Sequence, residues 1–77
     1  MKLHCEMLRR VRENNHLTQK DVAKVLNTTQ QVYSRYENGE NEIPLHHFVA
    51  LCRFYNLSAD YLLGFSEVAE PPRKREK

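Results

Sequence analysis

Apolar side chains recur along this chain at intervals of three and four, in short blocks separated by polar residues, and that period predicts helices throughout. No stretch keeps a two-residue alternation and no turn pair joins two such stretches, so no strand is predicted. The first helix is expected from Leu3 to Asn14, with Leu8 and Val11 on one face and either Cys5 or Met7 beside them. An Asn in Asn14-Asn15-His16 is expected to take the left-handed conformation that ends it. Thr18 then caps a second helix, and Asp21 three places later completes a capping-box-like pattern, although Asp reaches back less well than Glu. Leu17 is placed to pack back as a hydrophobic staple, and Val22, Ala23 and Leu26 form the buried stripe. The break at Asn27-Thr28-Thr29 leads at once into a third helix over 29–37, capped by Thr29, with Val32, Tyr33 and Tyr36 facing inward. Asn38-Gly39 closes it in a left-handed turn. Pro44 suits the first turn of a fourth helix, whose apolar face is Leu45, Phe48, Leu51, Cys52 and Tyr55. Asn56-Leu57 ends that helix. Ser58 caps a fifth that runs to about Leu63 and stops at Gly64. The expected architecture is all-α, one five-helix domain over 1–66 with a flexible charged tail over 67–77.

The second and third helices form a pair joined by a turn of three or four residues. Small Ala23 sits where the helices must cross closely, and Val22, Leu26, Tyr33 and Tyr36 hold the pair on its core side. The outer face of the third helix is then polar: Gln30, Gln31, Ser34 and Arg35. Gln can bond adenine through N6 and N7, and Arg can grip guanine at O6 and N7. The Thr-Gln-Gln turn also presents backbone N–H groups suited to a phosphate.

Residues 8–65 resemble the Cro/C1-type (XRE-like) helix-turn-helix domain of phage repressors and bacterial regulators. The resemblance is carried by Leu17-Thr18-Gln19, Ala23, Thr28-Thr29-Gln30-Gln31, Tyr36-Glu37-Asn38-Gly39 and Ile43-Pro44-Leu45. It continues through Asn56-Leu57-Ser58-Ala59-Asp60-Tyr61-Leu62-Leu63-Gly64. It implies a repressor-like fold, with helices 2 and 3 as the helix-turn-helix and helix 3 in the major groove. Gln30, Gln31, Ser34 and Arg35 would then contact bases. Gln19 and Thr29 would contact phosphate or support the glutamines, and Asn38 would meet the backbone. Similar repressors pair a buried base and acid between helices 1 and 3, which Arg12 and Glu37 match. Two positions depart from the pattern: Asn27 stands where Gly is usual, and Tyr36 where Ile or Leu is usual.

Length and charge narrow the function. At 77 residues and 9.2 kDa there is room for one small domain, which favours a binding module over an enzyme with a buried pocket. No apolar run approaches a membrane span, and the N-terminus has no apolar segment of the secretory kind. Cys5 and Cys52 cannot make a disulfide framework, so a cytoplasmic setting with reduced thiols is expected. The net charge of +2 conceals a strong polarity: residues 1–39 carry +3, residues 40–70 carry −4 with Arg53 their one base, and residues 71–77 carry +3. Such a distribution suits a polyanion partner on one side, as well as a merely solvated surface.

Other candidate chemistry is weaker. Adjacent His46 and His47 diverge by about 100 degrees around a helix and make a poor chelate, as do His4 and Cys5, so no metal site or cofactor is predicted. No arrangement of Ser, His and Asp suggests a nucleophile. Tyr33 and Tyr36 could stack on single-stranded nucleic acid, but their inward spacing favours a core role. The basic tail at Lys74 is either a DNA-grasping arm or a solubilising end. The expected function is sequence-specific binding of double-stranded DNA as a transcriptional regulator, most simply a repressor, by a homodimer on an inverted repeat. Tyr61, Leu63 and Phe65, more apolar than the inner face requires, mark the expected dimer patch. The alternatives are an antitoxin that binds a protein partner and represses its own operon, and a protein-interaction module without DNA binding.

Overall fold

The computed structural model describes residues 3–72, with side chains from Cys5 onward, and within them contains five α-helices and no strand. They are α1 Leu3–Asn14, α2 Gln19–Val25, α3 Gln30–Asn38, α4 Leu45–Tyr55 and α5 Ala59–Leu62. The basic run Arg73, Lys74, Arg75 and Lys77 and the side chain of His4 lie outside the described residues.

One core cluster joins Leu8 of α1, Val22, Ala23 and Leu26 at α2, Tyr33 and Tyr36 of α3 and Leu51 of α4. A second joins Val11, Phe48, Cys52 and Leu62, so α5 is held against α1 and α4. Ala23 is buried in the first cluster, where its small side chain permits close packing of α2 on α3. On α1, Cys5 is buried and Met7 half-buried against the second cluster, so both flank the Leu8–Val11 face.

Each helix ends in a left-handed turn, yet glycine occupies only two of the five turns. Gly39 and Gly64 are joined by His16, Asn27 and Asn56, all at φ of 56 to 58°. The first turn falls on His16 rather than on either preceding Asn. Asn15 instead spends its side chain on the Val11 carbonyl at 2.8 Å, and the N–H groups of His16 and Leu17 bond back to Glu13 and Arg12. That pattern places partly buried Leu17 against the core. Asn27 takes the left-handed place between α2 and α3, where Thr28 N–H reaches the Ala23 carbonyl at 2.9 Å.

The caps are mostly those the sequence signals. Thr18 accepts from Asp21 N–H at 3.1 Å while the Asp21 carboxylate accepts from Thr18 N–H at 2.9 Å, so the short Asp closes the box fully. These bonds from Thr18 hold the Asp21 carboxyl below its ordinary range. Thr18→Ala is expected to lower stability by about 1 kcal/mol, read as a fall in thermal midpoint of roughly 4–8 °C. Pro44 is the residue before α4 rather than inside its first turn; its carbonyl begins the helix by accepting from Phe48 N–H. Leu45 therefore opens α4 beyond the reach of any covering element and is 77% exposed, not part of the core face. After α5 the chain turns back, and the Glu70 carbonyl accepts from Ser58 N–H at 2.8 Å.

Candidate nucleic-acid interface

The third helix is fixed along one edge and open along the other. Tyr33, Tyr36 and Glu37 are buried. Gln30, Gln31 and Arg35 are exposed and Ser34 is half-buried, so the four side chains share the outer, N-terminal part of α3. Thr29 precedes them with its hydroxyl oxygen accepting from Val32 N–H at 3.2 Å, which leaves the hydroxyl proton free to donate outward. Asn38 is exposed at the far end and its amide lies 3.5 Å from the Ser34 hydroxyl, at the limit of a hydrogen bond.

Gln19, at the start of α2, turns to Glu37 rather than to the glutamines of α3: its amide donates to Oε1 at 3.1 Å. Glu37 also receives a bidentate grip from Arg12, Nε to Oε2 at 2.7 Å and a terminal nitrogen to Oε1 at 3.0 Å. The other terminal nitrogen of Arg12 donates to the Leu17 carbonyl at 2.9 Å. One carboxylate thus ties α1, the start of α2 and the end of α3 together. Burial alone would raise the Glu37 carboxyl, but Arg12, the nearby Tyr33 phenol and Gln19 outweigh it and hold the group below its ordinary value. The same bond to Glu37, against the opposing cost of burial, raises Arg12.

Two phenols sit beside this pair. Tyr33 and Tyr55 have buried hydroxyls with no partner in hydrogen-bond geometry, although Tyr33 lies close to Glu37. Burial drives Tyr33 far up, and burial together with the Glu37 charge pushes Tyr55 up to about 12. Neither deprotonates near neutrality.

Because Glu37 is lowered on folding, its contribution is complete above the unfolded carboxylate value and is lost as pH falls through the folded value. Asp21 adds to the same slope. The urea midpoint is therefore expected to fall steadily as pH drops below about 4.5. A double variant Arg12→Met with Glu37→Leu should flatten that fall, leaving the part due to Asp21.

Tyr36 and Tyr33 meet edge to face with centroids 6.2 Å apart, both within the core, so they offer no stacking platform. The larger ring at position 36 is accommodated by α4: the Tyr36 hydroxyl lies 3.1 Å from His47 Nδ1. The rings of His46 and His47 come to 4.3 Å despite their divergence around the helix. Partial burial, and then the proximity of His46, lower His47. Among the described residues no three His, Cys, Asp or Glu side chains gather to hold a metal, and no helix is long and apolar enough to cross a membrane. Of the expected dimer patch, Tyr61 and Leu63 are half-buried against the second core cluster, and Phe65 alone is largely outside, at 70% exposed.

The bonds Gln19–Glu37 and Tyr36–His47 were not signalled by sequence. Both join different elements, and only the relative rotation of two helices brings the partners together.

Two helices with this turn, an anchored inner edge and a polar outer edge define a helix-turn-helix domain. The helix-turn-helix family profile matches residues 8–62. The chain belongs to the Cro/C1-type (XRE-like) helix-turn-helix family. It is similar to the uncharacterised HTH-type transcriptional regulator YobD of Bacillus subtilis, 31% identical over 74 residues that cover 96% of this chain and 66% of the relative. It is 35% identical over 63 residues to the HTH-type transcriptional regulator ImmR of the same organism, covering 82% of this chain and 50% of the relative. The chain thus spans only part of the length of both. A crystal structure of a transcriptional regulator from Listeria innocua has the same fold, with a TM-score of 0.77 at 24% identity over 86% of this chain and 62% of that one.

Proposed function

We propose that this chain is a sequence-specific double-stranded DNA-binding module of a cytoplasmic transcriptional regulator, most simply a repressor. The observation that carries the reading is the division of α3: Tyr33, Tyr36 and Glu37 are buried while Gln30, Gln31 and Arg35 stand free in the first two turns. A helix held by its back and open at its N-terminal front can enter a major groove without rearranging the domain. Gln30, Gln31, Ser34 and Arg35 address base edges, and Thr29 and Asn38 address the phosphate backbone. Gln19 joins them with the amide hydrogen and carbonyl that Glu37 leaves unused. Arg10, Lys20 and Lys24 on α1 and α2 are exposed and add positive charge to the domain surface, which suits a polyanion. The transcriptional regulators to which the chain is similar support the same assignment. The working unit is a homodimer on an inverted repeat, with half-site centres about 34 Å apart.

Selection of bound duplexes from a randomised pool tests this reading. The expected winner is an inverted repeat whose binding weakens steeply with salt. Binding without enrichment of any sequence would overturn it.

A further inference from the structure

We propose that the outer face of α4 is a self-association surface, paired with the same face of a second copy running antiparallel to it. The proposal rests on the dimeric reading above and assigns that dimer a place.

An apolar groove of about 630 Å³ runs between α4 and α5, lined chiefly by Leu45, Phe48, Val49, Cys52, Ala59 and Leu63. It exists because α5 is only four residues long and leaves part of α4 uncovered. Leu45 and Val49 stand at its open side, 77% and 40% exposed. These residues and Arg53 are spaced by four, so they form one stripe about 12 Å long from Leu45 to Arg53.

The charges on the groove identify its occupant. Glu42, just before α4, and Arg53, near its end, both line it, and α4 itself carries no acid. Neither Glu42 nor Arg53 has an ion-pair partner among the described residues. A two-fold axis crossing α4 near Val49 brings Val49 against its own copy. It lays Leu45 along the aliphatic stem of the other copy's Arg53, and turns each Glu42 toward the opposite guanidinium. The groove therefore carries one charge of each sign at opposite ends and is complementary to itself, as an isologous contact demands. A charged peptide would instead call for a rim of single sign. Leu63 lies within the groove, so the end of α5 borders the same face.

Symmetry supplies a sharp test by sedimentation equilibrium of the full chain, from micromolar to millimolar, with circular dichroism confirming that each variant is folded. Glu42→Arg places two bases together twice across the axis, and Arg53→Glu two acids twice. Each should weaken self-association about tenfold. An equimolar mixture of the two variants restores opposite charges at both contacts, so it should associate as wild type does while each alone does not. Val49→Lys, on the axis, should weaken it on the order of a hundredfold. A dimer indifferent to all three variants, or weakened only by Phe65→Asp, overturns this surface and leaves the dimeric reading standing. A wild-type chain that stays monomeric throughout, free and on a duplex carrying the selected repeat, overturns both.

Discussion

Glu37→Ala is expected to cost the domain about 3–5 kcal/mol, because it strands a buried guanidinium that makes three of its hydrogen bonds to interior groups. A chain of this size has a total stability of about 4–12 kcal/mol, so the variant gives up a large share of it and its urea midpoint should fall in proportion. Gln19 loses its partner in the same stroke. Urea denaturation followed by circular dichroism measures the loss. Removing both charges behaves differently: Arg12→Met with Glu37→Leu leaves no unpaired ion and fills similar volume, and should come within about 1 kcal/mol of the parent or above it. A Glu37→Ala domain that retained its full urea midpoint would show that the pair is solvated and that its burial has been misjudged.

Gln31→Ala is expected to relax sequence preference at one position of each half-site while leaving the fold intact. The side chain is exposed and touches nothing in the core, so its removal should leave the thermal midpoint where it was. A two-point contact to adenine is worth about 1–3 kcal/mol of discrimination at each half-site, so two half-sites lose about 2–6 kcal/mol, or thirtyfold and upward in affinity for the selected repeat. Because no phosphate contact is removed, the slope of affinity against salt should be unchanged. Fluorescence anisotropy on the selected duplex and a scrambled one, at several salt concentrations, gives both quantities. Equal losses on the two duplexes would assign Gln31 to the backbone rather than to a base.

Much of the architecture was legible because its signals are local. Thr18, Thr29 and Ser58 announce helix starts through their own side chains, and Asn27, Gly39, Asn56 and Gly64 mark ends through their tolerance of the left-handed region. His16 escaped because the two asparagines before it compete for the same turn, and histidine shares their enrichment in that region without standing out from them. Leu45 was assigned to the core on spacing alone. Whether the first turn of α4 is covered depends on how far α5 extends, which no residue of α4 encodes. The Arg12–Glu37 pair spans 25 positions and was suggested by family resemblance, not by any local rule. The bonds of Gln19 to Glu37 and of His47 to Tyr36 entered the picture only with the relative placement of helices.

The division of α3 also bears on how such a domain changes over time. Its three buried residues hold the helix to α1, α2 and α4, whereas the four outward side chains have little or no part in that anchoring. If these four residues read the target as proposed, lineages descended from this chain can exchange residues 30, 31, 34 and 35 for others and acquire new target sites at almost no expense in folding. The route is closed at 33, 36 and 37, where each change must first survive as a folded protein. Divergence in what is read can run far ahead of divergence in the scaffold that reads it.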